Sequence, residues 1–160
     1  MSRLRFWLLT LGFDLYWGLA VALRERIGLL LCAGALLAWL LSPRVMKLRL
    51  LLVALAGIAL DSLWLGVDLF SFSGSHAFPV WMLALWLTFA CWWGLILHRF
   101  APDWRWLIVA GALGGPFSYF IGERLGGLQW HQSPAMALGA LAIGWAIWLP
   151  LASRLLRRNS

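Results

Sequence analysis

Apolar residues fill six runs along the chain, and polar residues collect in the short stretches between them. The runs cover residues 6–23, 27–41, 50–67, 80–97, 106–121 and 135–151. Runs of this length and uniformity predict helices that cross a lipid bilayer. The second run is short: about 15 residues rise only ~22 Å, so it is expected to begin inside the preceding turn or to thin the bilayer. Punctuation supports the division. Ser42-Pro43 closes the second run, Gly74 marks a loop over residues 68–78, and Pro79 precedes the fourth run, where proline suits the first turn. Residues 98–105 form a short polar turn, and residues 122–134 form the second longer loop.

Composition agrees with lipid as the outer solvent. The chain of 160 residues is 63% hydrophobic and 12% charged, with mean hydropathy +0.85. Six acids and thirteen bases cannot coat a water-soluble fold of this size. The pattern predicts an all-α, polytopic membrane protein: one domain over residues 1–160, a six-helix transmembrane bundle. A net charge of +7 would suit nucleic acid, but the bases sit at the ends of the apolar runs, as membrane topology requires. No nucleic-acid partner is expected.

With the N-terminus inside, ten bases fall on the cytoplasmic side: Arg3, Arg5, Arg44, Lys47, Arg49, Arg99, Arg105, Arg154, Arg157 and Arg158. Three, Arg24, Arg26 and Arg124, fall outside. Five or seven helices would spoil that asymmetry, so six with both termini cytoplasmic, in a bacterial inner membrane, is the expected arrangement. The first run starts basic but ends in Arg24-Glu25-Arg26 without a small-residue cleavage site, so it is read as a retained helix. Cys32 and Cys91 lie inside apolar runs at different depths and read as small buried side chains, not a disulfide.

An ionisable group inside a bilayer costs at least about 2.5 kcal/mol at the helix centre and commonly marks function. Asp14 lies near mid-depth of the first helix; Asp61 lies six residues from the outer end of the third, roughly 9 Å down. Ser118 and Tyr119 lie about one turn below Glu123 and Arg124, and His76, His131 and Asp68 belong to the outer loops. A site, if present, is therefore expected to open outward. The alternative reading of Asp61 is a structural hydrogen bond or buried pair, and of Glu123-Arg124 a solvated rim pair. Among the thirteen tryptophans, Trp7, Trp81, Trp104, Trp106 and Trp130 suit headgroup anchoring, whereas Trp64, Trp86, Trp92, Trp93, Trp145 and Trp148 lie deeper. The deeper set could pack the bundle or line a site for an acyl chain or ring. Gly111 and Gly115 form a small-xxx-small pattern for close helix approach, and Pro116 frees a carbonyl and could kink the fifth helix. No spacing fits a metal site, a phosphate loop or a nucleophile elbow, and neither metal nor cofactor is expected.

Three segments are distinctive as a set: Gly57-Ile-Ala-Leu-Asp-Ser-Leu-Trp64, the run Pro79 to Ala90, and Gly111-Ala-Leu-Gly-Gly-Pro-Phe-Ser-Tyr-Phe-Ile-Gly122. Together they resemble a family of small proteobacterial inner-membrane proteins known only as a domain of unknown function. The resemblance covers most of the chain and marks Asp61, Pro79, Trp81, Trp86, Gly115, Pro116 and Tyr119. It carries no reaction with it. Its members tend to be encoded beside lipid-modifying enzymes of the cyclopropane-fatty-acid-synthase type, which implies a link to lipid chemistry, and Asp14 matches none of its motifs.

Three functions remain open. The first is a lipid-modifying or lipid-handling protein with an outward polar cavity. There Asp61, Asp14 and Tyr119 would do the chemistry, with Trp64, Trp81, Trp86, Ser118, Glu123 and Arg124 binding a membrane lipid. The second is a small proton-coupled transporter that would need a homodimer to enclose a path, although the two halves show no evident inverted repeat. The third is a non-catalytic membrane scaffold subunit.

Overall fold

The computed structural model describes residues 2–74 and 78–157. His76 and Arg158 lie outside the described residues. Six α-helices are present among the described residues: α1 (Arg3–Leu23), α2 (Gly28–Leu41), α3 (Lys47–Gly66), α4 (Val80–Phe100), α5 (Trp104–Arg124) and α6 (Pro134–Arg157). Several extend beyond the apolar runs, because polar end residues supply the missing caps. Ser2 accepts from Arg5 N–H at the start of α1, and Asp103 accepts from Trp104 N–H at the start of α5. The last turn of α5 takes in Glu123 and Arg124, and Gly126 ends it with φ +77, a left-handed conformation glycine adopts without strain.

The helices run up and down. One short 3₁₀ turn (Arg24–Ile27) folds α2 back beside α1, and the Tyr16 hydroxyl donates to Leu31 O at 2.7 Å across that hairpin. A second (Arg44–Met46) leads into α3, where Trp39 Nε1 donates to Lys47 O at 3.0 Å. Phe6 meets Phe100 at a 5.4 Å ring separation, and Arg157 donates to Pro102 O at 2.6 Å. These contacts gather the start of α1, the α2–α3 and α4–α5 turns and the end of α6 at one end of the bundle, the basic end.

The opposite end carries something the apolar pattern did not predict. The two longer loops pair as an antiparallel ribbon, β1 (Phe70–Phe72) with β2 (Leu128–Trp130), in the register Phe70↔Trp130, Ser71↔Gln129 and Phe72↔Leu128. Strand alternation turns Phe70, Phe72 and Leu128 into the bundle and leaves Gln129 outside. Phe70 packs on Tyr119 and Phe72 on Trp81, with ring centroids 5.5 and 5.6 Å apart. The ribbon thus closes this end with side chains. Glu25 and Arg24 reinforce it: Glu25 Oε1 accepts from Val80 N–H at 3.0 Å, and Arg24 Nη1 donates to Leu125 O at 3.3 Å.

The outside of the bundle is apolar. Leu29 is 91% exposed, and Leu11, Leu15, Leu55, Ile143 and Ile147 are also exposed, whereas Asp61, Thr88 and Ser153 are buried. That inversion fits hydrocarbon as the solvent. Four helical stretches, 3–41, 44–66, 80–100 and 134–157, are long and apolar enough to cross a membrane. The protein is a helical membrane protein.

Candidate functional site

The site begins with a glycine. Gly57 lies four residues before Asp61 on α3, so both share one face. A Cβ at Gly57 would sit 2.2 Å from Trp86 Cε3; its absence lets the indole of Trp86, on α4, lie flat against α3. In that position Trp86 Nε1 donates to Asp61 Oδ2 at 2.8 Å. The other face of Trp86 stacks on Trp145 of α6, with centroids 5.5 Å apart and planes 17° apart. Trp145 in turn occupies the space left by two glycines of α5: a Cβ at Gly115 would meet its Cγ at 2.2 Å, and one at Gly111 its carbonyl oxygen at 2.3 Å. Tyr119, one turn beyond Gly115, then reaches Asp61 and donates to Oδ1. Two pairs of helices, α3 with α4 and α5 with α6, are drawn together by small residues, and the carboxylate sits where they meet.

Asp61 is wholly buried, and each of its oxygens holds a donor. Since a carboxylate has about four acceptor positions, it could take a further donor only if the wall of Trp86 and Tyr119 opened. On the far side of that wall lies a groove of about 510 Å³ between α1, α4 and α5. Trp86, Tyr119 and Trp145 form its floor, and Asp14, Trp17 and Phe117 its rim. The groove exists because α1 leans on α4 and makes at most marginal contact with α5. It is walled mainly by aromatic and aliphatic side chains, so the cavity is apolar where the sequence suggested a polar one; Asp14, Ser118 and Tyr119 are its polar points.

Asp14 is exposed in this groove and has no hydrogen-bonding or ionic partner among the described residues. Ser118 lines the same space but spends its hydroxyl on Gly114 O at 2.8 Å. Trp81 is almost fully buried beneath Phe72, lines a small adjoining void of about 40 Å³, and does not reach the surface as a headgroup anchor would. Trp64 packs on α6, where its Cζ2 would lie 2.5 Å from a Cβ at Gly144, away from the lining of this groove. Glu123 and Arg124 stand apart from the groove, 3.7 Å from each other at their closest, with the Arg124 guanidinium over Phe120. Pro116 is buried within a continuous α5 beside Gly115. The structure therefore joins Asp61, Tyr119 and Trp86, sets Asp14 and Ser118 across an apolar space from them, and leaves Trp64, Glu123 and Arg124 elsewhere.

Sequence reasoning placed Trp145 among the deeper tryptophans but not as the link between Trp86 and the α5 glycines, and it did not single out Phe13, which stacks on Trp92 with centroids 4.5 Å apart. The spacing of Gly111 and Gly115 predicts a partner ring or backbone but not which one. His131 answers Asp68, Nδ1 to Oδ1 at 2.5 Å, and Ser71, Nε2 to Oγ at 2.9 Å, so it secures the ribbon and not the groove. Both cysteines are free thiols. Among the described residues no cluster of three or more His, Cys, Asp and Glu side chains could hold a metal ion.

No curated protein and no solved structure matches the chain. Residues 6–151 match the family described as protein of unknown function (DUF2878), and with most of its length covered the chain belongs to that family.

Proposed function

We propose that this is a multi-pass inner-membrane protein that handles a lipid in the groove between α1, α4 and α5. The observation that carries the proposal is the exposed carboxylate of Asp14, without a partner among the described residues, opposite the Tyr119–Asp61 pair in an otherwise apolar space. A carboxylate facing hydrocarbon without a partner is costly, and a ligand's hydroxyl or amine would offset that cost. The aromatic floor suits an acyl chain or a ring. In this arrangement Asp14 binds a donor group of the ligand, Tyr119 offers its oxygen as a second polar contact, and Asp61 holds Tyr119 in place. Where a reaction follows, the Tyr119–Asp61 hydrogen bond is the route by which a proton would leave or enter the site.

Six crossings with both termini cytoplasmic accompany the proposal. The 3–41 stretch folds back on itself at Arg24–Ile27, which makes two crossings of it, and α5 runs beside α6 as a sixth. The basic end then faces the cytoplasm and the ribbon faces outward, in accord with the distribution of bases.

A second reading has its own observation. Both oxygens of Asp61 are already satisfied within the protein, as a purely structural latch would require. Comparative lipidomics of cells lacking the protein separates the two. The cells are complemented at equal membrane abundance with wild type, Asp14→Asn or Tyr119→Phe. A lipid species that changes on deletion and returns with wild type alone supports handling at this groove. Unchanged lipids, or full restoration by both variants, would leave the latch as the role of Asp61.

A further inference from the structure

A second groove, on the other side of α1, carries a different chemistry. It has a volume of about 410 Å³ and runs between α1, α2 and α4. Its mouth is at the basic end, where Arg5, Ser42 and His98 line it; its deep end is closed by Tyr16, Thr88 and the stacked Phe13–Trp92 pair. Those two rings also line the first groove, so they divide the two spaces at mid-depth.

The dimensions and the charge together select an occupant. From Arg5 to Tyr16 along α1 is eleven residues, a rise of about 16 Å. One leaflet of a bilayer core about 30 Å thick is about 15 Å deep. The groove is thus as deep as one leaflet and has its basic groups at one end only, at the level where headgroups lie; the Tyr16 and Thr88 hydroxyls at the deep end are spent on Leu31 O and Ala84 O. Arg5 has no ionic partner among the described residues, His98 is exposed beside the same space, and none of the chain's six acids lines it. Leu8, Leu9 and Leu41 supply exposed apolar walls. Gly12 leaves the middle open: a Cβ built there meets nothing within 4 Å.

We propose that this groove is a binding site for one anionic phospholipid of the leaflet at the basic end. An acyl chain lies along Gly12 toward Phe13 and Trp92, and the phosphate sits between Arg5 and His98. Arginine presents several donors to phosphate oxygens, and a cation at headgroup depth favours an anionic lipid over a zwitterionic one. The site is separate from the α1–α4–α5 groove and stands whether or not that groove handles a lipid.

The test uses the full-length protein reconstituted in vesicles of equimolar phosphatidylglycerol and phosphatidylcholine, released into mild detergent and weighed by native mass spectrometry. Wild type is expected to retain one phosphatidylglycerol, in roughly tenfold preference over phosphatidylcholine. Gly12→Trp fills the groove from α1 and is expected to lose the bound lipid. Gly18→Trp, at an equally open position of α1 outside both grooves, is expected to keep it. The double variant Arg5→Gln/His98→Gln changes only exposed side chains and is expected to bring the preference to about one. Retention by Gly12→Trp equal to wild type would overturn the proposal, as would an unchanged preference in the double variant. A lipid-free dimer as the main species would overturn it too, because a second copy would then cover the groove.

Discussion

Tyr119→Phe isolates one hydrogen bond at the centre of the bundle. The ring that packs on Phe70 and Trp145 stays, and only the phenolic donor to Asp61 Oδ1 is lost. Asp61 is wholly buried, Trp86 Nε1 serves the other oxygen, and among the described residues Tyr119 is the donor that Oδ1 holds. In water-soluble proteins, a buried hydrogen bond to a charged group contributes about 1.5–3 kcal/mol. In membranes such bonds average about 0.6 and reach about 1.7 kcal/mol, since a helix separated from the bundle also finds partners. Asp61 of α3 takes its donors from α4 and α5, so separation of any of these three costs it a donor, which puts this bond at the top of the membrane range. A loss of about 1.5 kcal/mol, roughly tenfold in the unfolding equilibrium, is expected. Reversible unfolding in mixed micelles, followed by tryptophan fluorescence or by steric trapping, measures it. A double-mutant cycle with Asp61→Asn should show clear non-additivity, because both changes act on one bond. If Tyr119→Phe unfolds within about 0.5 kcal/mol of wild type, or the cycle is additive, the pair does not hold α3 to α5.

Three further outcomes follow from the packing. Gly57→Ala forces a methyl group into the Trp86 ring and should cost about 1–3 kcal/mol in the same unfolding assay, whereas Gly18→Ala, with open space around it, should be neutral or slightly stabilising. Gly111→Ala meets the Trp145 carbonyl, backbone that cannot rotate away, and is expected to cost at least as much as Gly57→Ala; equal stability to wild type would contradict the α5–α6 approach. Six crossings with the ribbon outside predict that, in a Cys32→Ala/Cys91→Ala background, a cysteine at Ser133 reacts with a membrane-impermeant maleimide in intact cells while one at Ser2 reacts only after lysis. Labelling of both in intact cells would refute the topology.

The helices were legible because each lies on an apolar run, although α2 qualifies as a crossing only together with α1 and α5 does not qualify by hydropathy. Their ends were less so: α5 and α6 run on through Arg124 and Arg157, since helix continuation past an apolar run depends on caps and neighbours that hydropathy does not register. Asp61 could be singled out because a carboxylate in an apolar run needs a partner. The ribbon could not, because Phe70-Ser-Phe72 and Leu128-Gln-Trp130 are three-residue strands more than fifty positions apart, too short to carry a periodic signal. The α1–α4–α5 groove was equally invisible: its existence depends on α1 standing away from α5, and no spacing along one helix encodes the separation of two.

By itself the sequence determined the solvent, since 63% hydrophobic residues and so few charges admit no aqueous surface. It also determined where the apolar runs lie and that bases gather at their ends, because these are local properties of length and charge. The tertiary structure decided which polar groups are satisfied. It gave Asp61 two donors from α4 and α5, left Asp14 with none among the described residues, and drew Trp81 and Trp64 into packing. The physical reason is that hydrogen bonds and cavities belong to pairs of surfaces. How those surfaces meet was set by the glycines of α3 and α5, whose role appears only when the opposing ring is in place.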